Sequence, residues 1–540
     1  MKILFKTLVF LFLFSGSIHA QFNKEEQIIV KAMQDQLKNS MDSLKLDNFP
    51  RPDFIQYTYK KGETNMLRYS RGALFEEEIA KPISLIRTDM IIKDENGFTS
   101  HNSNQRGFIL FPRMGEGQDV VPIAPDYDET RRVFWWLSDV QYKNAINDYN
   151  NKKRKKEDPA LPENVKKDMA LPDFPALPKT NYYDPPATNP FDLDYWHNLL
   201  AEVSGIYNDY QGLFDVFARL ETSCSDIYTL NTEGTVMRHA VTNISLSVRV
   251  VVENSNKEYF TENLVFSGLT ANDLPSKQEI LAQTKEAVKL VLEVANAEVA
   301  DKEYLGPAIL DAPLIIDYQM LGGFAASRIP ALGNNQMNNN NDNIGVRLYS
   351  SNISIEATPT LKEYKGKKLL GSYSVDGEGV KPKDKFVLVE NGILKQLLND
   401  RVPTSVTPES TGSNVYIGIS PLIARLVMPG VIQVSCSDTR PTKDLKAELI
   451  KDAKENGLKY AFIVRRLKNG NTYWFYKVDV QDGSEKLVRN YKLNLNANKP
   501  LRRIICSSDN TDVFHLNYLG VNNSVISPDA FLLEEVSITK

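Results

Sequence analysis

The sequence predicts an α+β fold. It reads as an N-terminal α/β domain, a central sheet-plus-helix segment, and a C-terminal, largely antiparallel β domain with flanking helices. Three observations carry this. Residues Gly371–Arg401 read as strand, turn, strand, hairpin, strand: Asp376-Gly-Glu-Gly379 and Asn391-Gly392 are turn signals around the apolar run Phe386–Val389. Ile244, Leu246, Val248, Val250 and Val252 alternate with polar residues, the period of a half-buried strand. Ser276-Lys-Gln-Glu279 is a capping box opening a helix whose apolar residues recur at Ile280, Leu281, Ala287, Val288, Val291 and Leu292.

In chain order, the first twenty residues read as an export signal. Lys2 and Lys6 precede the short apolar run Leu8–Phe14, and Ala20 offers a cleavage site before Gln21. No cysteine follows for a lipid anchor, and no later apolar segment is long enough to span a membrane. Ile28, Ile29, Ala32, Met33, Leu37, Met41 and Leu44 mark an amphipathic helix. Residues 54–112 read as short strands with turns at Lys61-Gly62 and Asp94–Gly97. A helix follows, with Asp126, Asp128 and Glu129 at its start and Val133, Trp136, Leu137, Val140 and Ile146 facing inward. The run Lys152–Lys156 closes it, a solvated tail suited to a helix C-terminus.

Eight prolines between 157 and 190 mark a connector and a domain boundary. Phe191–Tyr210 is expected as a helix, and the capped helix as running to about Ala300. Asn334–Asn343 is a low-complexity loop. Thr442–Asn456 is a helix with Thr442 as its N-cap. Tyr460–Leu467, Thr472–Val480 and Glu485–Tyr491 are hairpin-linked strands, and Ala530–Val536 is extended. The expected division is 1–20 signal, 21–156 N-terminal domain, 157–190 connector, 191–305 central domain and 306–540 C-terminal domain.

Composition limits function. With 540 residues the chain needs more than one small core. A net charge of −4 supplies no field to collect phosphates, so no nucleic acid is expected as partner. Cys224, Cys436 and Cys506 are too few for a disulfide framework and read as buried thiols, with one incidental bridge as the alternative. No Ser/His/Asp order, phosphate loop or Cys-x-x-Cys pair is present. Asp376 and Glu378 read as members of a hydrogen-bonded turn, with an acid pair as the alternative.

The acidic-glycine turn, the strand ending Glu390-Asn-Gly392, the Leu-Lys-rich strand and Asp400-Arg401 resemble the C-terminal domain of the TldD/PmbA family. So does Tyr304-Leu-Gly-Pro-Ala-Ile-Leu-Asp311. The Asp126-Tyr-Asp-Glu129 start, the Arg-Arg helix behind it and Asn231-Thr-Glu-Gly234 fit exported members. The resemblance covers nearly the whole chain after residue 20. It implies a zinc-peptidase fold in which active members carry His-Glu-x-x-x-His soon after Gly-Pro, with two imidazoles on the metal and the glutamate as general base. Aligned on Ile309-Leu310, those positions hold Asp311, Ala312 and Ile316. No histidine lies between His239 and His515.

The resemblance therefore implies a PmbA-like subunit with no metal of its own, zinc being expected only in a partner. That partner is a zinc-bearing TldD-like homologue or a second copy, and the substrate is peptide. A non-catalytic envelope scaffold and an autonomous hydrolase using other residues are the alternatives. Asp311 is expected as an N-cap acid. Asp317, Asp376 and Glu378 are the candidate substrate-binding residues.

Overall fold

The computed structural model describes residues 22–101, 117–161, 163–172, 174–326, 340–418, 423–494, 502–518 and 520–540. Residues 1–20, expected as an export signal, the end of the 54–112 stretch and most of the asparagine-rich loop lie outside them.

The first sheet grows from two long hairpins. β1 (Pro52–Ser70) pairs with β2 (Ala73–Ile92) and with β5 (Leu213–Asn231), and β5 pairs with β6 (Val236–Glu253). β3 (Gln118–Val120), β4 (Asn181–Tyr183) and β7 (Tyr259–Gly268) complete seven strands. Strands from both sides of the proline-rich stretch thus share one sheet, and the stretch itself adds α3 (Glu163–Met169) and β4. It is no break in the architecture. The expected turn at Lys61-Gly62 is also overturned, because β1 runs straight through it. Gly62 is needed for close approach instead: a Cβ there would lie 2.1 Å from the Cys224 carbonyl oxygen. The real turn is Arg71-Gly72, both at positive φ.

Four helices cover one face. α1 (Lys24–Ser43), capped by Asn23, and α2 (Tyr127–Lys156), capped by Asp126, bury Ile29, Met33, Val133, Phe134 and Leu137 against Tyr57, Tyr59, Ile86 and Tyr228. α4 (Leu193–Gly205) and α5 (Lys277–Ala295) cover the other end of the face around Leu67, Tyr69, Leu220 and Leu246. The Ser276 capping box forms, but α5 stops at Ala295 rather than near Ala300. Trp136 does not face inward. It is 42% exposed beside Trp135, and Phe134 takes the buried place. Ile28 is likewise exposed.

The rest is a sandwich of two sheets (aligned strands stacked across an apolar core). One sheet has the order β18-β23-β26-β9-β19-β20-β21-β8, with β22 (Lys492–Leu493) beside β26. These are β8 (Glu298–Val299), β9 (Tyr304–Asp311), β18 (Thr439–Arg440), β19 (Tyr460–Arg466), β20 (Tyr473–Asp479), β21 (Glu485–Arg489), β23 (Ile504–Ser508) and β26 (Ala530–Thr539). The other has the order β14-β13-β10-β17-β25-β24, from β10 (Ile353–Ala357), β13 (Phe386–Glu390), β14 (Ile393–Leu394), β17 (Val431–Cys436), β24 (Thr511–Tyr518) and β25 (Val521–Pro528).

Two small ribbons, β11 (Glu363–Tyr364) with β12 (Lys367–Lys368) and β15 (Asn414–Tyr416) with β16 (Arg425–Val427), lie outside these sheets. The Asn391-Gly392 hairpin forms as the sequence predicts, with both residues at positive φ. α6 (Tyr318–Gly322) follows β9 after a 3₁₀ turn, and α7 (Thr442–Glu455) packs outside the larger sheet with Pro441, not Thr442, at its N-cap. The fold is α+β with mostly antiparallel sheets, as expected.

Candidate functional site

Two places were singled out by the sequence, and they are built differently. The first follows β9. Asp311 ends that strand, but its carboxylate does not cap the turn behind it. Oδ2 accepts the Arg466 backbone N–H at 2.8 Å, and the Arg466 guanidinium donates to the Pro313 and Gly470 carbonyls. Burial raises Asp311 to about 6, against the hydrogen bond from Arg466. Ala312 and Ile316 are buried in the core between the two C-terminal sheets. Asp317 is the N-cap of α6, accepting from the Met320 N–H at 2.9 Å. Asp311 and Asp317 therefore sit on different elements, with their oxygens engaged by backbone.

That segment does not fit zinc. A tetrahedral site needs several imidazole, thiolate or carboxylate donors converging within about 2.0–2.3 Å of the ion. Here one carboxylate is tied to an amide, the cations of Arg465 and Arg466 stand near it, and Ala312 and Ile316 offer only hydrocarbon. Among the described residues no group of three or more His, Cys, Asp and Glu is placed to share a cation.

The second place is the Asp376–Gly379 turn, which is packed against the helix-free face of the first sheet. Register explains what it meets. Asp89, Gln56 and Asn231 stand in one row across β2, β1 and β5. Arg87, Thr58, Thr229 and Met237 form the next, and Leu85, Lys60, Ile227 and His239 the third. The turn contacts these rows directly. His239 Nε2 lies 3.3 Å from the Val375 carbonyl, and Thr180 Oγ1 donates to Gly379 at 2.8 Å. Tyr416 and Thr229 share a hydrogen bond of 2.7 Å, and Arg87 donates to the Ile423 carbonyl at 2.8 Å.

Within the turn, Asp376 Oδ1 accepts from the Glu378 and Val380 amides, each at 2.9 Å, and Oδ2 from the Asn414 amide at 3.1 Å. Glu378 Oε2 accepts the Arg401 N–H at 2.8 Å. Arg425 Nη1 donates to the Gly377 carbonyl at 2.7 Å. A Cβ at Gly377 would strike the Arg425 side chain at 2.6 Å. Gly379 adopts φ +86, the left-handed conformation that glycine supplies without strain.

Arg401 is a clamp. It pairs with Glu233 at 2.6 Å, donates to the Pro175 carbonyl, and lies over the rings of Phe174 and Phe54 at 3.8 and 4.8 Å. It thereby ties the proline-rich stretch to both the sheet and the C-terminal domain.

The electrostatics of this seam are unusual. Burial raises Asp376 to about 6, against three backbone hydrogen bonds. Burial and then the negative charge of Asp400 raise Glu378 to about 7, against Arg425. Burial holds His239 below its ordinary value. Asp89, despite burial, is held low by Arg87 and Arg425. Buried acids displaced toward neutrality, beside cations, mark a functional candidate. Asp376 and Glu378 were expected from the sequence. His239, Arg401, Arg425 and Asp89 complete the cluster, and nothing short-range in the sequence joins them.

With this geometry in hand, the comparisons define a class. Residues 311–540 match the PmbA/TldA metallopeptidase C-terminal domain. That match covers the C-terminal 230 residues, and it is there that the chain is similar to the TldD/PmbA family. Three solved structures share the fold. TldE from Thermococcus kodakarensis has a TM-score of 0.57 at 13% identity, over 94% of this chain and 100% of that one. A proposed modulator of a DNA gyrase from Thermotoga maritima gives 0.56 at 13%, covering 95% and 100%. One from Bacteroides thetaiotaomicron gives 0.56 at 11%, covering 96% and 99%. Compared by sequence with curated proteins, the chain matches none.

Proposed function

We propose that this chain is an exported, zinc-less subunit of a TldD/PmbA-type peptidase, holding or admitting peptide for a zinc-bearing partner. The observation that carries the reading is the chemistry after β9. Where the family resemblance puts two metal ligands and a base stand Asp311, Ala312 and Ile316, one bound to a backbone amide and two buried in hydrocarbon. A general base without a polarised water has nothing to activate.

Peptide handling is supported by the sandwich. β24 is the edge strand of the six-stranded sheet, its residues mostly half-buried, and α6 lies beside it. An edge offers main-chain hydrogen bonds to an extended peptide without regard to its sequence. Export rests on the basic-apolar-small pattern of the first twenty residues. No described helix is long and apolar enough to cross a membrane.

The test is co-production with a homologue bearing intact His-Glu-x-x-x-His. The expected result is a complex seen by light scattering, chelator-sensitive peptide hydrolysis only in the mixture, and no stoichiometric zinc on this chain alone. Hydrolysis by this chain alone with chelator present defeats the reading in favour of an autonomous enzyme. A chain that neither binds the homologue nor affects hydrolysis is a scaffold. Mass spectrometry of the exported form should find Gln21 at its N-terminus.

A further inference from the structure

The Asp376–Gly379 turn does more than join two strands, because it brings two buried carboxyls against the helix-free face of the first sheet. Four charged groups act on Glu378, and others line the same seam. Asp376 lies on its own turn, Asp400 and Arg401 on the loop after β14, Arg425 on β16, and Tyr416 on β15. From the first sheet come Asp89 and Arg87 on β2, Lys60 on β1 and His239 on β6, with Glu233 behind Arg401 and Asp184 near His239.

We infer that this turn is a proton-operated latch: with a proton held among its carboxyls the contact between the turn and the first sheet is closed, and losing that proton loosens it locally. The physical reason is solvation. Asp376 and Glu378 are 1% and 9% exposed, so ionising both puts two negative charges, with Asp400 as a third, out of water. Opening the seam rehydrates them. The fastenings that must yield around the turn are His239 to Val375, Thr180 to Gly379, Thr229 to Tyr416, Arg87 and Gln118 to Ile423, the Arg401–Glu233 pair, and the apolar contact of Tyr416 and Ile423 with Leu85 and Ile227, while Glu262, Asn243 and Asp273 keep the rest of the boundary joined.

The direction follows from linkage. A carboxyl whose closed-state pKa lies above its hydrated value binds its proton more tightly when closed. Closure is fully supported below about 4.5, the hydrated glutamate value, and weakens as pH rises to about 7, where Glu378 titrates in the closed form. His239 works oppositely, since its depressed pKa resists protonation in acid. The latch is therefore tightest in mild acid.

Hydrogen exchange on the full chain tests this, read at residues 423–428 and 236–241 and corrected for the intrinsic pH dependence of exchange. The Ile423 amide is the direct reporter, because it donates to Gln118 across the seam. Wild-type protection should fall at least about tenfold between pH 5 and pH 7, since one pKa unit is a factor of ten. Glu378→Gln keeps an acceptor for the Arg401 amide and removes the charge, so most of that fall should vanish. Asp400→Asn removes a charge that raises Glu378 in the closed form, so the loosening should be smaller and complete at a lower pH. Flat wild-type protection, or wild-type profiles in both variants, overturns the latch. If Glu378→Gln fails to fold by circular dichroism, the direction of the Asp400→Asn shift decides.

Discussion

The segment after β9 and the Asp376–Gly379 turn are both places where acids stand inside the protein, and they behave as opposites. After β9 a partly buried carboxylate, near Arg465, Arg466 and Asp529, sits at the edge of the core. Its neighbours Ala312, Ile315 and Ile316 face hydrocarbon, and it serves a backbone amide. At the turn, two carboxyls share space with a third acid, two arginines and a histidine at the meeting of two structural layers. The first region is held by packing and one backbone hydrogen bond. The second keeps ionisable groups where packing alone would have been more stable. The ionisable residues of this chain gather at the seam rather than in the segment after β9.

The largest effect should come from the clamp. Arg401→Ala leaves Glu233 without its buried partner and empties the space between Phe54 and Phe174. Breaking a buried pair costs about 3–5 kcal/mol. Urea denaturation should show that loss, and exchange should rise in the proline-rich stretch. A loss under about 1 kcal/mol would mean that the seam is not held at Arg401.

Ile316→Ala probes the packed region. The side chain is fully buried, so truncation should cost about 2–5 kcal/mol through lost transfer energy and the cavity left behind. The cost should be the same at pH 5 and pH 7.5, because the loss acts through packing in an apolar cluster. A pH-dependent cost would erase the contrast between the two regions.

Glu378→Gln should have the opposite character. Its effect on global stability should be near zero at pH 4.5 and stabilising by about 1–3 kcal/mol at pH 7.5. The native carboxyl, raised to about 7, gives up stability across that interval and the amide does not. Paired urea titrations at the two pH values measure it.

How much of this was legible depended on sequence separation. The Asn391-Gly392 hairpin, the Ser276 box and the Asp376 turn were readable because each is decided within about four residues by backbone preference and one side chain. Lys61-Gly62 misled because glycine has two uses. Turn chemistry is local, whereas the approach of Gly62 to the Cys224 carbonyl depends on a strand some 160 residues away. Trp136 misled because three successive aromatics cannot all lie on one stripe of a helix, and Phe134 alone took the buried place. The seam was half-visible. Its two acids stood in a recognisable turn, but Arg425, Arg401 and His239 reach it from elsewhere in the fold, and only register across β1, β2, β5 and β6 assembles them.

The smallest effect should come from the lone acid of the packed region. Asp311→Asn keeps an oxygen to accept the Arg466 amide, so the geometry at the end of β9 should survive. What changes is charge. Burial raises Asp311 to about 6 from an ordinary 3.8, so the native protein holds that proton more tightly than the unfolded chain does. Stability from this group is complete below about 3.8 and is lost as pH rises to about 6. Replacing the carboxylate with an amide should therefore return stability near pH 7, by about 1–2 kcal/mol once the partial exposure of Asp311 is allowed for. That gain should be local. Exchange at Ile423 and across β6 should keep its wild-type pH profile, because Asp311 lies at the end of β9 and is not among the groups facing Glu378. If Asp311→Asn flattens the seam profile as Glu378→Gln does, the two regions form one titrating system and the distinction between packed segment and latch fails.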